Sequence, residues 1–207
     1  MRKVTEPLDR SAAAPTPPES EAMALARQAA AGDSVATGRL LRKLAPRLGG
    51  VVRAIMGADH PDRDDALQLA LIGIVQALPA FRGECDPAGY AATIAVRTAV
   101  AARKRARVRD ARQEEMPPEA PDPVLPGHLG EAHRRQELLR ELLAALPAEQ
   151  AEALAMRVVL GWSLEEIATQ TRAPVNTVRS RLRLAKQAMR RRIEADTGLL
   201  EALEVES

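Results

Sequence analysis

The chain has 207 residues, 46% of them hydrophobic, and a net charge of +2, which leaves room for one large or two small domains with a real core. A single cysteine, Cys85, excludes an intrachain disulfide framework, and His60, His128 and His133 do not join it at zinc-ligand spacing. No apolar run reaches the roughly 20 residues of a membrane span and the N-terminus lacks the apolar core of a signal peptide, so a cytoplasmic protein without membrane insertion is expected.

Much of the hydrophobic fraction is Ala, which favours helix. Val and Ile do not alternate as strands require, and Phe81, Tyr90 and Trp162 are the only aromatics. An all-α protein is predicted. Residues 1–19 read as a disordered tail ending near Pro15, Pro17 and Pro18. Residues 20–112 form a first helical domain. In it Leu40, Leu41, Leu44, Leu48, Val51, Val52 and Ile55 recur at helical spacing, with Pro46 expected to kink or break the segment. A helix follows over about 64–78, capped by Asp62 or Asp64. A loop over 81–89 leads to a third helix, over about 90–107.

Residues 113–130 carry Pro117, Pro118, Pro121, Pro123, Pro126 and Gly127 among acidic residues. Proline removes backbone donors, so this stretch is a linker that no helix crosses. A second small helical domain spans 131–195. Its first helix runs from about Glu131 to Leu146, and its second over about 148–160, ended by Gly161. Ser163 and Glu166 form a capping box for a helix over 164–171. After a turn at Pro174, a last helix runs from about Val175 to Ala195, with Gly198 as its stop. Residues 196–207 are a C-terminal tail.

Basic residues crowd Arg97 to Arg112 and Arg172 to Arg192, two footprints suited to a polyanion. The segment Trp162–Lys186, WSLEEIATQTRAPVNTVRSRLRLAK, carries the sharpest pattern. Leu164, Ile167 and Ala168 make an apolar stripe on a short helix, and Val175, Val178, Leu182, Ala185 and Met189 make one on the next. At about 100° per residue, Asn176, Arg179, Ser180, Arg183, Gln187 and Arg190 fall on the opposite, polar face. This is a helix-turn-helix whose second helix fits a major groove.

In the segment DDALQLALIGIVQAL, Leu67, Ala70, Leu71, Ile74 and Leu78 form one stripe. Leu69 and Ile72 lie on the other side, beside Asp65, Gln68 and Gln76. A helix apolar on two sides is either buried all round or docks a partner. In YAATIAVRTAVAARKRARVRD, Ile94 and Val100 face the core. Arg97, Arg103, Lys104 and Arg105 offer charge to phosphates, and Tyr90 offers a stacking surface for an unpaired base. No nucleophile–base pair, metal cluster or phosphate loop is present, so no cofactor and no enzymatic activity are expected.

In this order the three segments resemble bacterial RNA polymerase sigma factors of the extracytoplasmic-function type, over roughly residues 21–194 apart from the linker. The resemblance implies a sigma factor that binds the polymerase core and directs it to promoters. LPAEQAEALAMRVVLGWSLEEIATQTRAPVNTVRSRLRLAKQAMR is similar to the family's fourth region, which binds the minus-thirty-five element. On that likeness Asn176, Thr177, Arg179, Ser180, Arg183 and Arg190 are DNA contacts. DRDDALQLALIGIVQALPAF is similar to the part of the second region that binds the coiled coil of the largest polymerase subunit, through Asp65, Gln68, Leu69, Ile72 and Gln76. YAATIAVRTAVAARKR is similar to the part that opens and reads the minus-ten element, through Tyr90, Arg97, Arg103, Lys104 and Arg105.

The polymerase flap region and an anti-sigma factor are further partners that the resemblance implies. Tyr90–Ala91 stands where the family commonly has Trp-Leu, Arg97 where it often has Asn, and Ala101 near its usual Asp. The alternative to a sigma factor is a stand-alone helix-turn-helix regulator, and a protein-interaction adaptor is a further rival.

Overall fold

The computed structural model of the chain describes residues 20–114, 140–141 and 143–194; among them there are helices and no strands. The first is α1, Glu21–Ala30, where the Ser20 hydroxyl accepts from the backbone N–H of Met23 at 3.3 Å. Helix α2, Ser34–Met56, starts on Asp33, whose carboxylate accepts from the N–H groups of Val35 and Ala36 at 2.8 and 3.0 Å. These caps satisfy donors that the first turn of a helix leaves orphaned.

Of the kink or break expected at Pro46, the break does not occur: α2 runs through Pro46 as one helix. Pro46 is exposed, so the carbonyl it fails to bond can turn to water. Leu40, Leu44, Leu48, Val51, Val52 and Ile55 are buried on both sides of it. At about 1.5–3 kcal/mol for each fully buried side chain, they outweigh the roughly 3 kcal/mol that an internal proline costs.

Helix α3 spans Arg63–Ala77 and is followed by a single 3-10 turn, Leu78–Ala80. Asp62 occupies its N-cap but makes no capping bond. Instead its carboxylate accepts from Arg109 Nη2 at 3.0 Å, and that of Asp64 accepts from Arg63 Nε at 3.0 Å. Neither aspartate is therefore the side-chain cap expected of it: a guanidinium takes each carboxylate.

Helix α4 spans Pro87–Glu114, longer at both ends than the periodicity indicated. Its start is set by Asp86, which accepts from Gly89 N at 3.0 Å, and by Pro87, which has no N–H to leave orphaned. Helices α1 to α4 pack together, with α2 and α4 as the central pair.

In the second half, residues 140, 141 and 143–145 are helical. Then come α5, Ala148–Val159; α6, Leu164–Thr171; and α7, Val175–Glu194. The expected helix start near Glu131, the linker after Glu114 and the stop at Gly198 lie outside the described residues. Gly161 takes φ +72°, a left-handed conformation that lets the chain turn sharply after α5. One buried cluster runs from Leu25 to Ala185 and includes both halves, because α5 and α6 pack against α4.

Candidate nucleic-acid and polymerase interfaces

The junction of α6 and α7 is built by local bonds. Ser163 Oγ accepts from Glu166 N at 3.1 Å, and Glu166 Oε2 accepts from Ser163 N at 2.7 Å, so the capping box is complete. Donation from the Ser163 backbone N–H, and then from its side chain, holds the Glu166 carboxyl below its ordinary pKa. Arg172, at φ 52°, supplies the left-handed residue of the turn, and Ala173 N returns to Ala168 O at 3.1 Å. Ile167, Ala168, Val178, Leu182 and Ala185 are buried, with Leu164, Val175 and Met189 packed against them.

The outer face of α7 follows from that inner one. Asn176, Arg179, Ser180, Arg183 and Arg190 are exposed within an arc of about 100°. Thr177 is half-buried on its flank. Arg179 donates to Asn176 Oδ1, and Arg190 donates to Glu194 at 2.8 Å, bonds between surface groups that DNA can replace. Arg181, farther round on the same flank, donates to Glu149 Oε2 at 2.6 Å and so ties α7 to the first turn of α5.

On α3, Ala66, Ala70 and Ile74 face the core, and Leu67 and Leu71 are half-buried. The other side is open. Asp65, Gln68, Leu69, Ile72 and Gln76 are all exposed, with Leu69 at 48% and Ile72 at 45%. Of the two alternatives for this helix, burial all round is excluded, because the bundle covers only one flank. Val75, also exposed, extends the apolar patch. Its place three residues after Ile72 was the signal that sequence reading missed.

Along α4 the expected residues do not share one environment. Tyr90 is half-buried; its ring lies 5.3 Å from that of Phe81 at 51°, and its hydroxyl donates to Ala77 O at 3.3 Å. Arg103 Nη1 donates to Met56 O at 2.9 Å, while Lys104 and Arg105 are exposed. Arg97 Nε donates to Glu152 Oε2 on α5 at 3.3 Å. Burial pushes the Glu152 carboxyl above its ordinary pKa, against the downward pull of Arg97.

Among the described residues no group of three or more His, Cys, Asp and Glu is gathered as a metal site. Also among them, no helix is long and apolar enough to cross a membrane. A helix-turn-helix with a basic outer face, joined to a helical bundle bearing an exposed apolar patch, is the make-up of a DNA-binding transcription factor that works with a protein partner.

The model of sigma-70 region 2 matches residues 40–109, and that of sigma-70 region 4 matches residues 136–189. The ECF RNA polymerase sigma factor SigD of Mycobacterium bovis is 30% identical over 182 residues, 83% of this chain and 84% of the relative, and SigD of Mycobacterium tuberculosis matches equally. The chain belongs to the extracytoplasmic-function family of RNA polymerase sigma factors, which direct transcription initiation. Its fold is similar to that of CnrH, solved in complex with the cytosolic domain of CnrY. That likeness has a TM-score of 0.53 at 21% identity and covers 86% of this chain and 99% of the other.

Proposed function

We propose that this sigma factor works as two DNA-reading units on one tether. Residues 20–112 form the unit that holds polymerase core and captures the minus-ten element. Residues 131–195 form the unit that docks on the minus-thirty-five duplex, and 113–130 join them; 1–19 and 196–207 are tails. The observation that carries the residue assignment is the pair of open faces on α3 and α7, each opposite a buried stripe of its own helix.

Asp65, Gln68, Leu69, Ile72 and Gln76 dock the coiled coil of the largest polymerase subunit. Exposed apolar side chains framed by polar ones are the usual make-up of such a patch. Arg179 and Arg183, with Asn176, Thr177, Ser180 and Arg190, enter the major groove or hold its phosphates. Lys104 and Arg105 offer charge to the melted strand, joined by Arg97 once it leaves Glu152.

The polymerase flap is the second docking point, and an anti-sigma factor is a further partner on the family resemblance alone. The role is regulatory, with the polymerase supplying the chemistry, and it is exercised in the cytoplasm. Linking two weak sites raises the effective concentration of each. Pulldown with core polymerase, then transcription from a candidate promoter, tests the assignment. Binding and promoter-dependent transcripts are expected. A chain that occupies paired half-sites as a dimer without polymerase would instead be a stand-alone regulator.

A further inference from the structure

The outer face of α2 carries a stripe of positive charge that belongs to neither of the open faces on α3 and α7. Arg39, Arg42, Lys43, Arg47 and Arg53 are all exposed. At about 100° per residue they fall within an arc of about 140°. Leu44, Leu48, Val52 and Ile55 lie opposite them and are buried. Because α2 runs unbroken through Pro46, the stripe continues for about 21 Å, at about 1.5 Å per residue.

These cations are only lightly matched. Glu21 of α1 pairs with Lys43 and, at 3.7 Å, with Arg39. Among the described residues no carboxylate pairs with Arg42, Arg47 or Arg53. Like charges three and four positions apart on a helix repel each other. A polyanion laid along the stripe would turn that repulsion into attraction.

Two features select the occupant. Between Arg39 and Arg53 the arc holds, besides the cations, only Pro46 and Gly50. A protein interface centres on aromatic or large apolar anchors, and this face has none. A phosphate backbone needs only cations. The stripe also adjoins the start of α4, where Arg47 lines one cleft with Asp86 and Gly89.

We propose that the outer face of α2 is a phosphate track for the separated nontemplate strand, holding its backbone without regard to sequence beside the bases that α4 captures. The proposal rests on the assignment of α4 as the strand-capturing helix. Glu21 is the internal counter-ion that the strand displaces from Arg39 and Lys43. Both pairs lie at the surface, where an ion pair contributes little, so the exchange is cheap.

The test uses holoenzyme assembled from the full chain and polymerase core. The probe is a fork template whose nontemplate strand is single from the minus-ten element onward. A second fork carries uncharged methylphosphonate linkages beside the element. Arg42→Gln, Arg47→Gln and Arg53→Gln combined should weaken binding to the charged fork about tenfold. The slope of log affinity against log salt should fall by about 2, at about 0.7 for each phosphate on a single strand. The loss should persist when the bases beside the element are changed, and vanish on the uncharged fork. Glu21→Gln should act in the other direction and strengthen binding about twofold or more, since it removes the competing carboxylate. Neither variant should melt below the wild type, because the substituted side chains are exposed.

An unchanged salt slope, or an equal loss on charged and uncharged forks, would overturn the proposal. So would a triple variant that loses polymerase core but binds the fork normally at saturating core, since the face would then dock acidic protein. Failure of the α4 assignment reads differently: Lys104→Gln with Arg105→Gln leaves fork binding intact, while the α2 variant still weakens it.

Discussion

Arg103 reaches from α4 to the C-terminal end of α2, where its Nη1 donates to the main-chain oxygen of Met56 at 2.9 Å. The last carbonyls of a helix lack partners, and the negative end of its dipole favours a cation there. A residue that the family resemblance offers to DNA therefore also has a structural task.

Arg103→Ala should destabilise the first bundle by about 1.5–3 kcal/mol, the range for a hydrogen bond to a charged group. Lys104→Ala, at the exposed neighbouring position, should leave the melting temperature alone and weaken DNA binding only. Thermal unfolding of the two variants separates these roles. An Arg103 variant that melts with the wild type removes the structural task.

The capping box sets the stability of the helix-turn-helix. Ser163→Ala should cost about 0.5–2 kcal/mol. Glu166→Gln should make the stability of this half less dependent on pH. The Glu166 carboxyl is depressed in the fold from its ordinary 4.5. Its contribution is thus full above about 4.5 and is lost as pH falls through the lower folded value. Melting of wild type and Glu166→Gln at a series of pH values should converge on acidification. A gap that persists unchanged into strong acid contradicts this account.

The outer face of α7 predicts a division among arginines that lie within little more than one turn of each other. Arg179→Ala or Arg183→Ala should weaken upstream-element binding. A base-reading arginine costs about 1–3 kcal/mol with relaxed specificity, and a phosphate contact weakens all sequences and flattens the salt slope. Arg181→Ala should act on stability instead, because its partner is Glu149. Fluorescence anisotropy at several salt concentrations, beside a melting curve, decides. Wild-type binding by both Arg179 and Arg183 variants would place the DNA face elsewhere.

Asp65→Arg should weaken binding to polymerase core several-fold, as reversing an interface charge does, and leave the melting temperature unchanged because Asp65 is exposed. Core binding by gel filtration or light scattering checks it. Unaltered affinity with preserved helicity would remove Asp65 from the docking patch.

Legibility followed periodicity. The α6–α7 unit was readable to within a residue, because cap, turn and stripe repeat one message within 32 residues, from Ser163 to Glu194. Helix α1 was not read, since two of its three buried residues are Ala26 and Ala29, which mark no stripe. The start of α4 was placed late because Asp86 and Pro87 look like loop residues until the bond to Gly89 is seen. The open face of α3 was half-legible: sequence shows two apolar sides, and only packing decides which is covered. The pairing of Arg97 with Glu152 is separated by 55 positions, and no local pattern announces it.

The last prediction concerns Tyr90. The family likeness offers it as a stacking surface for an unpaired base, but its ring packs on Phe81 and its hydroxyl holds the Ala77 carbonyl at the end of α3. Tilted aromatic pairs add about 0.5–1.5 kcal/mol beyond their burial. Tyr90→Ala should therefore lower the melting temperature, with a loss of about 2 kcal/mol, less than the 3–5 of a fully buried aromatic. Tyr90→Phe keeps the ring and gives up one long hydrogen bond, so it should cost about 1 kcal/mol or less. Promoter opening, read by permanganate reactivity on duplex and on a template with a pre-melted bubble, distinguishes packing from stacking. Packing predicts that Tyr90→Ala is impaired on both templates in step with its stability, and that Tyr90→Phe behaves as wild type on both. The opposite pattern is an unchanged melting temperature, opening lost on duplex and restored on the bubble. That result would return Tyr90 to the strand.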